Sequence, residues 1–245
     1  MLRRLLELIY TTLSVLIVVP VTVLVCTAVI IGPTLTIRRE TGRLGVRLIL
    51  ASIGLPLFVR GREHLPPGAS IAVANHASYL DGLVLTAALP RRFTFVVQDG
   101  AANWPLVGLT LRRMGVLFVN RGSARSSAQL TRQMIRRLHH GEPLAIFAEG
   151  TFKPHIGLLP FKSGAFLMAA RTHSPIVPTG IRGTREVFGG GRRVMRWRPI
   201  TVEFGASLAA ADADGAQLLR QQTRQAVLAL CGEPDTQAGV AESAD

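Results

Sequence analysis

Apolar and polar positions follow two regimes that change at about Arg60. From Leu8 to Ile37 no Asp, Glu, Lys or Arg interrupts the chain, and about 20 apolar residues already suffice for a helix to cross a bilayer. Pro20 stands near the middle of this run, with Arg3 and Arg4 before it and Arg38 and Arg39 after it. Positive charge on both flanks draws both ends to the cytoplasmic side. This predicts a hairpin bent at Pro20 and dipped into one leaflet; a long tilted span or two short helices are the competing arrangements. A cleaved signal peptide fits poorly, because the run exceeds the usual ~7–15 residues and no A-x-A site follows it. A second apolar stretch, "LGVRLILASIGLPL" from Leu44 to Leu57, carries only Arg47 and predicts a helix on the bilayer or under the domain.

Beyond Arg60, short apolar runs alternate with longer amphipathic ones. "IAVAN" (71–75), "FTFVV" (93–97), "VLFV" (116–119), "LAIF" (144–147), "PIVPTGI" (175–181) and "PITVEFG" (199–205) read as strands. Most are continuously apolar, as strands covered on both faces are. Helices are expected at about 79–89, 104–113, 123–140, 161–172 and 214–231. Strands alternating with helices imply the α/β class: a mixed, largely parallel sheet flanked by helices, here with an N-terminal membrane-inserted helical segment. The expected divisions are 1–54 for the membrane-associated segment, 55–231 for the α/β domain, and 232–245 for a tail. That tail holds four acids and no basic residue, which predicts disorder.

Composition narrows the surroundings. Apolar residues are 48% of the 245, and Lys plus Arg number 28 against 15 acids, giving a formal charge of +13. Nucleic acid and an anionic membrane surface both attract such a chain. The positive charge is nearly all Arg and is scattered, and aromatic residues are only 6% with no stacking motif; this favours the membrane over nucleic acid. Cys26 and Cys231 form neither a disulfide framework nor a metal site, which fits a reducing compartment.

Three segments carry candidate chemistry. In "ANHASYLDG" (74–82), His76 and Asp81 are five residues apart, about 500° or, after one full turn, about 140° around a helix. They point apart on a continuous helix, and zinc pairs sit at i and i+4, so a metal site is disfavoured. The two can meet if His76 lies in the loop after strand 71–75 and Asp81 in the first turn of the next helix. Ser78 and Asp81 also fit an S-x-x-D capping box. Two readings therefore stand: a helix cap beside a polar loop residue, or an aspartate that holds one imidazole nitrogen so that the other acts as a general base. Loops after the C-terminal ends of strands are where α/β sheets build sites. In "FAEGTF" (147–152) a strand ends at Glu149, Gly150 and Thr151, where backbone N–H groups could cradle an oxyanion or phosphate. In "GVLFVNRG" (115–122) a strand delivers Arg121 into a loop.

Taken together over roughly residues 55–205, these segments resemble the glycerolipid acyltransferases typified by lysophosphatidate (1-acylglycerol-3-phosphate) acyltransferase. "NHASYLD" resembles the family's N-H-x4-D block, with His76 and Asp81 in the catalytic places. "GVLFVNR" resembles the second block, whose arginine, here Arg121, contacts the acceptor phosphate. "FAEGTF" resembles the third, F-P-E-G-T-R-S, and "PIVPTGI" the fourth; "VRGREHLP" and "LPFKSGAF", the latter containing Lys162, are similar to flanking family features. Ala148 replaces the usual Pro. Phe152 stands where the family has an Arg that grips the phosphate, and Lys153 would point the other way in an extended chain. An apolar ring in place of a guanidinium weakens bidentate phosphate binding, and lyso-ornithine lipid acyltransferases resemble this chain in lacking that Arg.

The resemblance implies acyl transfer from acyl-CoA or acyl-ACP to the free hydroxyl of lysophosphatidate, with a phosphate-free lyso-lipid acceptor as the alternative. Glu149, Gly150, Thr151, Arg121 and Lys162 are implied in substrate binding. No resident cofactor and no metal is expected, and the expected partners are membrane lipids, the lyso-lipid and the thioester donor, not nucleic acid. The expected location is the cell membrane with the active domain on the cytoplasmic face. A non-catalytic lipid-binding protein and a lipid hydrolase are the rivals; the chain has no G-x-S-x-G elbow for the latter.

Overall fold

In the computed structural model, which describes residues 2–119, 124–151, 156–189, 191–192, 194–209 and 215–236, the predicted alternation becomes one seven-stranded sheet. Its strands are β1 (Leu57–Arg60), β2 (Ile71–Ala74), β3 (Thr94–Gln98), β4 (Leu117–Val119), β5 (Leu144–Phe147), β6 (Ile176–Arg182) and β7 (Ile200–Phe204). They lie in the order β1-β7-β6-β2-β5-β3-β4. β6 and β7 pair antiparallel and every other neighbouring pair is parallel, so the sheet is mixed and largely parallel, as expected. The helices are α1 (Leu2–Ile31), α2 (Leu35–Ser52), α3 (Asp81–Ala88), α4 (Val107–Arg113), α5 (Ala124–His139), α6 (Gly164–Thr172), α7 (Thr184–Phe188) and α8 (Ala216–Cys231).

Central β2 is buried along its whole length, and its pleat divides the core in two. Ala72 and Ala74 face Val46 and Leu50 of α2 and Val84 and Leu85 of α3. Ile71 and Val73 face Leu138 of α5, Phe166 and Met168 of α6, and Val227 of α8. A strand with apolar side chains on both faces shows no alternation, which is why β2 reads as a continuous apolar run.

β1 and α7 escape sequence reading. "LFVR" is masked by the apolar stretch before it, and five helical residues are too few to show a period. The stretch 44–57 is correspondingly not one helix: α2 ends at Ser52, Gly54 turns the chain with φ 69°, and Leu57 opens β1.

The N-terminal reversal is also displaced from Pro20, which lies inside α1. The turn falls at Gly32-Pro33-Thr34. Proline disfavours helical backbone in the residue before it, Thr34 Oγ1 accepts from Ile37 N (3.3 Å) to start α2, and Arg38 Nε donates to Gly32 O (2.7 Å). Both ends of α1 are tied to the domain. Near its start, Tyr10 Oη donates to Ile53 O (3.0 Å), Met195 N donates to Thr11 Oγ1 (2.9 Å), and Arg196 pairs with Glu7 at 2.8 Å. At its end, Arg113 donates twice to Ile30 O, at 3.0 and 2.7 Å. Between these ties Leu13, Leu16, Val19, Val23 and Leu24 are exposed. Among the described residues α1 is the one helix long and apolar enough to cross a membrane.

The predicted disorder of the tail fails for its first residues. Gly232–Thr236 form a strap: Leu158 N donates to Pro234 O (2.9 Å), and Arg224 holds both Asp235 oxygens at 2.7 and 2.6 Å. Composition shows no such contacts because they are polar and few. Residues 237–245 lie outside the described ones.

Candidate functional site

Strand pairing brings two of the three sequence segments together. β2 and β5 are parallel neighbours in the register Ala74↔Phe147. His76 and Glu149 each stand two residues beyond that pair, so both leave the C-terminal edge of the sheet side by side. His76 N donates to Glu149 Oε1 at 2.5 Å, and the imidazole stacks on Phe147 with centroids 4.3 Å apart.

The predicted loop-to-helix step of His76 and Asp81 is present. Nδ1 of His76 lies 3.0 Å from Asp81 Oδ2. The same oxygen accepts from Ala77 N (2.6 Å) and Ser78 N (2.7 Å). Three donors on one oxygen fix the carboxylate, and a carboxylate can only accept. Nδ1 therefore carries its proton toward Asp81, and Nε2 is the nitrogen able to take another. Asp81 is fully buried and His76 is about one-fifth exposed, so the imidazole is the member of the pair that a reactant can reach. Oδ1 of Asp81 has no hydrogen-bond partner among the described residues.

Half of the capping box forms. Asp81 returns to Ser78 N, but Ser78 Oγ donates to Phe188 O at the end of α7 and accepts from Leu80 N at 3.1 Å. The serine thus ties the loop to α7, and capping alone does not account for the segment. Sequence reasoning passed over Asn75, whose amide closes both hydrogen bonds with the Ile181 backbone of β6, at 3.1 and 2.7 Å. A polar residue at the end of an apolar strand, next to His76, was the available signal.

Glu149 is bound by the protein itself: Oε1 by His76 N and Oε2 by Leu159 N at 2.8 Å. Both carboxylate oxygens thus hold backbone, that of His76 on one side and of Leu159 on the other. The N–H of Gly150 donates to Phe147 O (3.0 Å) in a turn with φ 73°. Lys162 lies across Gly150, where a Cβ would stand 2.9 Å from its Nζ; the glycine provides the room for the lysine. Thr151 is exposed at the rim of the same loop. Arg121, Phe152 and Lys153 lie outside the described residues. Among those described, no group of three His, Cys, Asp or Glu side chains could hold a metal ion.

Burial pushes the Glu149 carboxyl up to about 7; the amides of Leu159 and His76 oppose this, and the charges of Asp81 and Glu233 add to it. The folded protein therefore binds more protons than the unfolded chain between about 4.5 and 7, and stability falls as pH rises through that window. The loss is about 3 kcal/mol in all. Urea unfolding of the parent should show a drop in stability from pH 5 to pH 7.5 that Glu149→Gln largely abolishes. Equal drops in both proteins would mean that another group is responsible.

With this geometry in view, the comparisons with known proteins are decisive for the family. The family model described as Acyltransferase matches residues 56–182, more than half of the chain, and the match contains His76, Asp81 and Glu149. The chain belongs to the acyltransferase family. Among curated acyltransferases, it is 35% identical over 162 residues to the lyso-ornithine lipid O-acyltransferase of Rhodobacter capsulatus, covering 65% of this chain and 50% of that one. It is 31% identical over 157 residues to the 1-acyl-sn-glycerol-3-phosphate acyltransferase of Neisseria meningitidis serogroup B, covering 64% and 58%. The matched segments thus span about half to three-fifths of those acyltransferases. The crystal structure of the 1-acyl-sn-glycerophosphate acyltransferase PlsC from Thermotoga maritima superposes with a TM-score of 0.75, covering 92% of this chain and 93% of that one at 20% identity, so the two share the acyltransferase fold.

Proposed function

We propose that this acyltransferase moves a fatty acyl chain from a thioester, carried by coenzyme A or acyl carrier protein, to the free hydroxyl of lysophosphatidate, giving phosphatidate for phospholipid synthesis. The observation that carries the proposal is the contact of His76 Nδ1 with Asp81 Oδ2 at 3.0 Å, at the strand end where Glu149 pins the histidine backbone. His76 Nε2 takes the proton of the acceptor hydroxyl as its oxygen attacks the thioester carbon. The tetrahedral adduct then expels the sulfur as a thiolate, the imidazolium returns its proton to that sulfur, and an ester and a free thiol remain. Asp81 steadies the imidazolium between the two steps. Neither a covalent acyl-enzyme nor a resident cofactor enters this scheme.

The site belongs at a membrane surface, where lyso-lipids reside. With both ends of α1 tied to one domain, the helix lies along a leaflet with Leu13, Leu16 and Leu24 toward the lipid, and its domain stays on one side, the cytoplasmic face. The excess of arginine favours anionic headgroups. Arg121, Thr151 and Lys162 are assigned to the acceptor side.

A second acceptor class has its own support. Phe152 removes the phosphate-gripping guanidinium, and one of the similar enzymes is named for lyso-ornithine lipid. Thiol release from acyl-CoA or acyl-ACP, measured with lysophosphatidate and with phosphate-free lyso-lipids, separates the possibilities. Release that requires lysophosphatidate supports the first reading, and a preference for a phosphate-free acceptor replaces it with the second. No release with any acceptor would leave a lipid-binding protein, and release without acceptor a thioesterase.

A further inference from the structure

One carboxylate in the C-terminal strap touches both halves of the site's support. Glu233 Oε1 accepts from Arg185 Nε at 2.7 Å, and Oε2 accepts from Gly157 N at 2.8 Å. The Arg185 and Glu233 side chains are 12% and 13% exposed, so the ion pair is poorly screened by water. Each contact leads toward the histidine–aspartate loop by a short route. Arg185 belongs to α7, whose final carbonyl, on Phe188, receives Ser78 Oγ; Ser78 N is one of the three donors that fix Asp81 Oδ2. Two residues beyond Gly157, Leu159 N holds Glu149 Oε2, and the other oxygen of Glu149 receives His76 N.

The strap is built to lie against this loop. Leu158 pairs with Asp235 in a parallel bridge, and its carbonyl receives Thr236 Oγ1 at 2.6 Å and Arg224 Nη2 at 3.0 Å. Gly157 has φ 126°, and a Cβ there would stand 2.5 Å from Thr236 Cγ2. Only glycine permits both that backbone and that approach.

We infer that Glu233 is a positioning residue for the acyl transfer proposed above, holding the Glu149 loop and α7 at a fixed separation so that His76 and Asp81 stay aligned. The inference rests on that reading for its reaction, but its geometry does not. Glu233 lies outside the segment matched by the family model, in a stretch whose composition reads as disordered. Its two oxygens each take a different donor, so an amide cannot replace it: the NH₂ of a glutamine would be set against either the Gly157 N–H or the Arg185 guanidinium.

Glu233→Gln tested beside Asp235→Asn decides the matter. Asp235→Asn weakens the same strap at Arg224 while leaving Gly157 and Arg185 with Glu233, so it reports what a merely structural loss does. Misplacing reacting groups by about 1 Å can cost about 10²-fold. With Glu233→Gln we expect kcat to fall about tenfold and the acceptor KM to move less than about twofold, while Asp235→Asn keeps its kcat at a similar Tm. Amide hydrogen exchange supplies a readout free of turnover: His76 and Leu159 should exchange faster in Glu233→Gln and not in Asp235→Asn. Equal kcat losses in the two variants, or unchanged exchange at His76 in Glu233→Gln, would overturn the inference. A parent with no turnover on any acceptor would overturn the proposed reaction instead, and exchange at His76 would still decide the positioning.

Discussion

Replacing His76 with alanine should remove about 10²–10⁴-fold of the turnover, the usual contribution of a general base, and leave a folded protein. The fold survives because the imidazole is a peripheral member of its own site. It is partly exposed, and its stacking on Phe147 is worth about 0.5–1.5 kcal/mol beyond area burial. Asp81 Oδ2 keeps two donors, Ala77 N and Ser78 N, so the carboxylate does not become a buried charge without partners. The backbone N–H of residue 76, which Glu149 uses, is present in the variant too. Thiol release by the purified protein, with circular dichroism to establish folding, provides the check. Near-normal release by a folded His76→Ala protein would remove general-base catalysis from the scheme.

This separation of chemistry from fold explains what was legible in the sequence. The five-residue step from His76 to Asp81 is local, and so is the change from strand to helix that lets the two meet; both can be read from a few neighbouring residues. The contact between His76 and Glu149 is different in kind. It depends on β2 choosing β5 as a neighbour in the register Ala74↔Phe147, a long-range pairing that no window of sequence contains. The same holds for Asn75, whose partner Ile181 is 106 positions away, and for Glu233, which belongs to the site only because α8 returns the chain beneath the Leu158 loop. Local competition accounts for the misplaced hairpin. Pro20 and the Gly32-Pro33 pair are both breakers, but Gly32-Pro33 is followed by Thr34, which caps the next helix. Gly150 shows the limit of reading a motif by residue type, since its freedom serves a turn to Phe147 and the passage of Lys162, neither of which the motif announces.

Asp81 carries the second large effect, and here stability and catalysis fall together. Asp81→Ala removes the acceptor of two buried backbone amides, Ala77 N and Ser78 N, and each buried donor left unpaired costs about 1–3 kcal/mol. A loss of about 2–6 kcal/mol is comparable with the total stability of many domains. The alanine variant should therefore accumulate poorly, and its inactivity alone would not establish a catalytic role. Asp81→Asn separates the two contributions. Its carbonyl oxygen can still receive the Ala77 and Ser78 amides, so most of the stability returns. It brings no negative charge to an imidazolium in a fully buried setting, where an opposite charge matters most. Because Nδ1 shares Oδ2 with the two amides, the carbonyl in that place keeps the Nδ1 tautomer, and what the variant loses is the charge. We expect Asp81→Asn to unfold near the parent in urea while losing about 10²–10⁴-fold in kcat. An Asn variant with both parent-like stability and parent-like kcat would reduce Asp81 to the helix-start residue that its sequence position also allowed, and would leave His76 to work without an orienting charge.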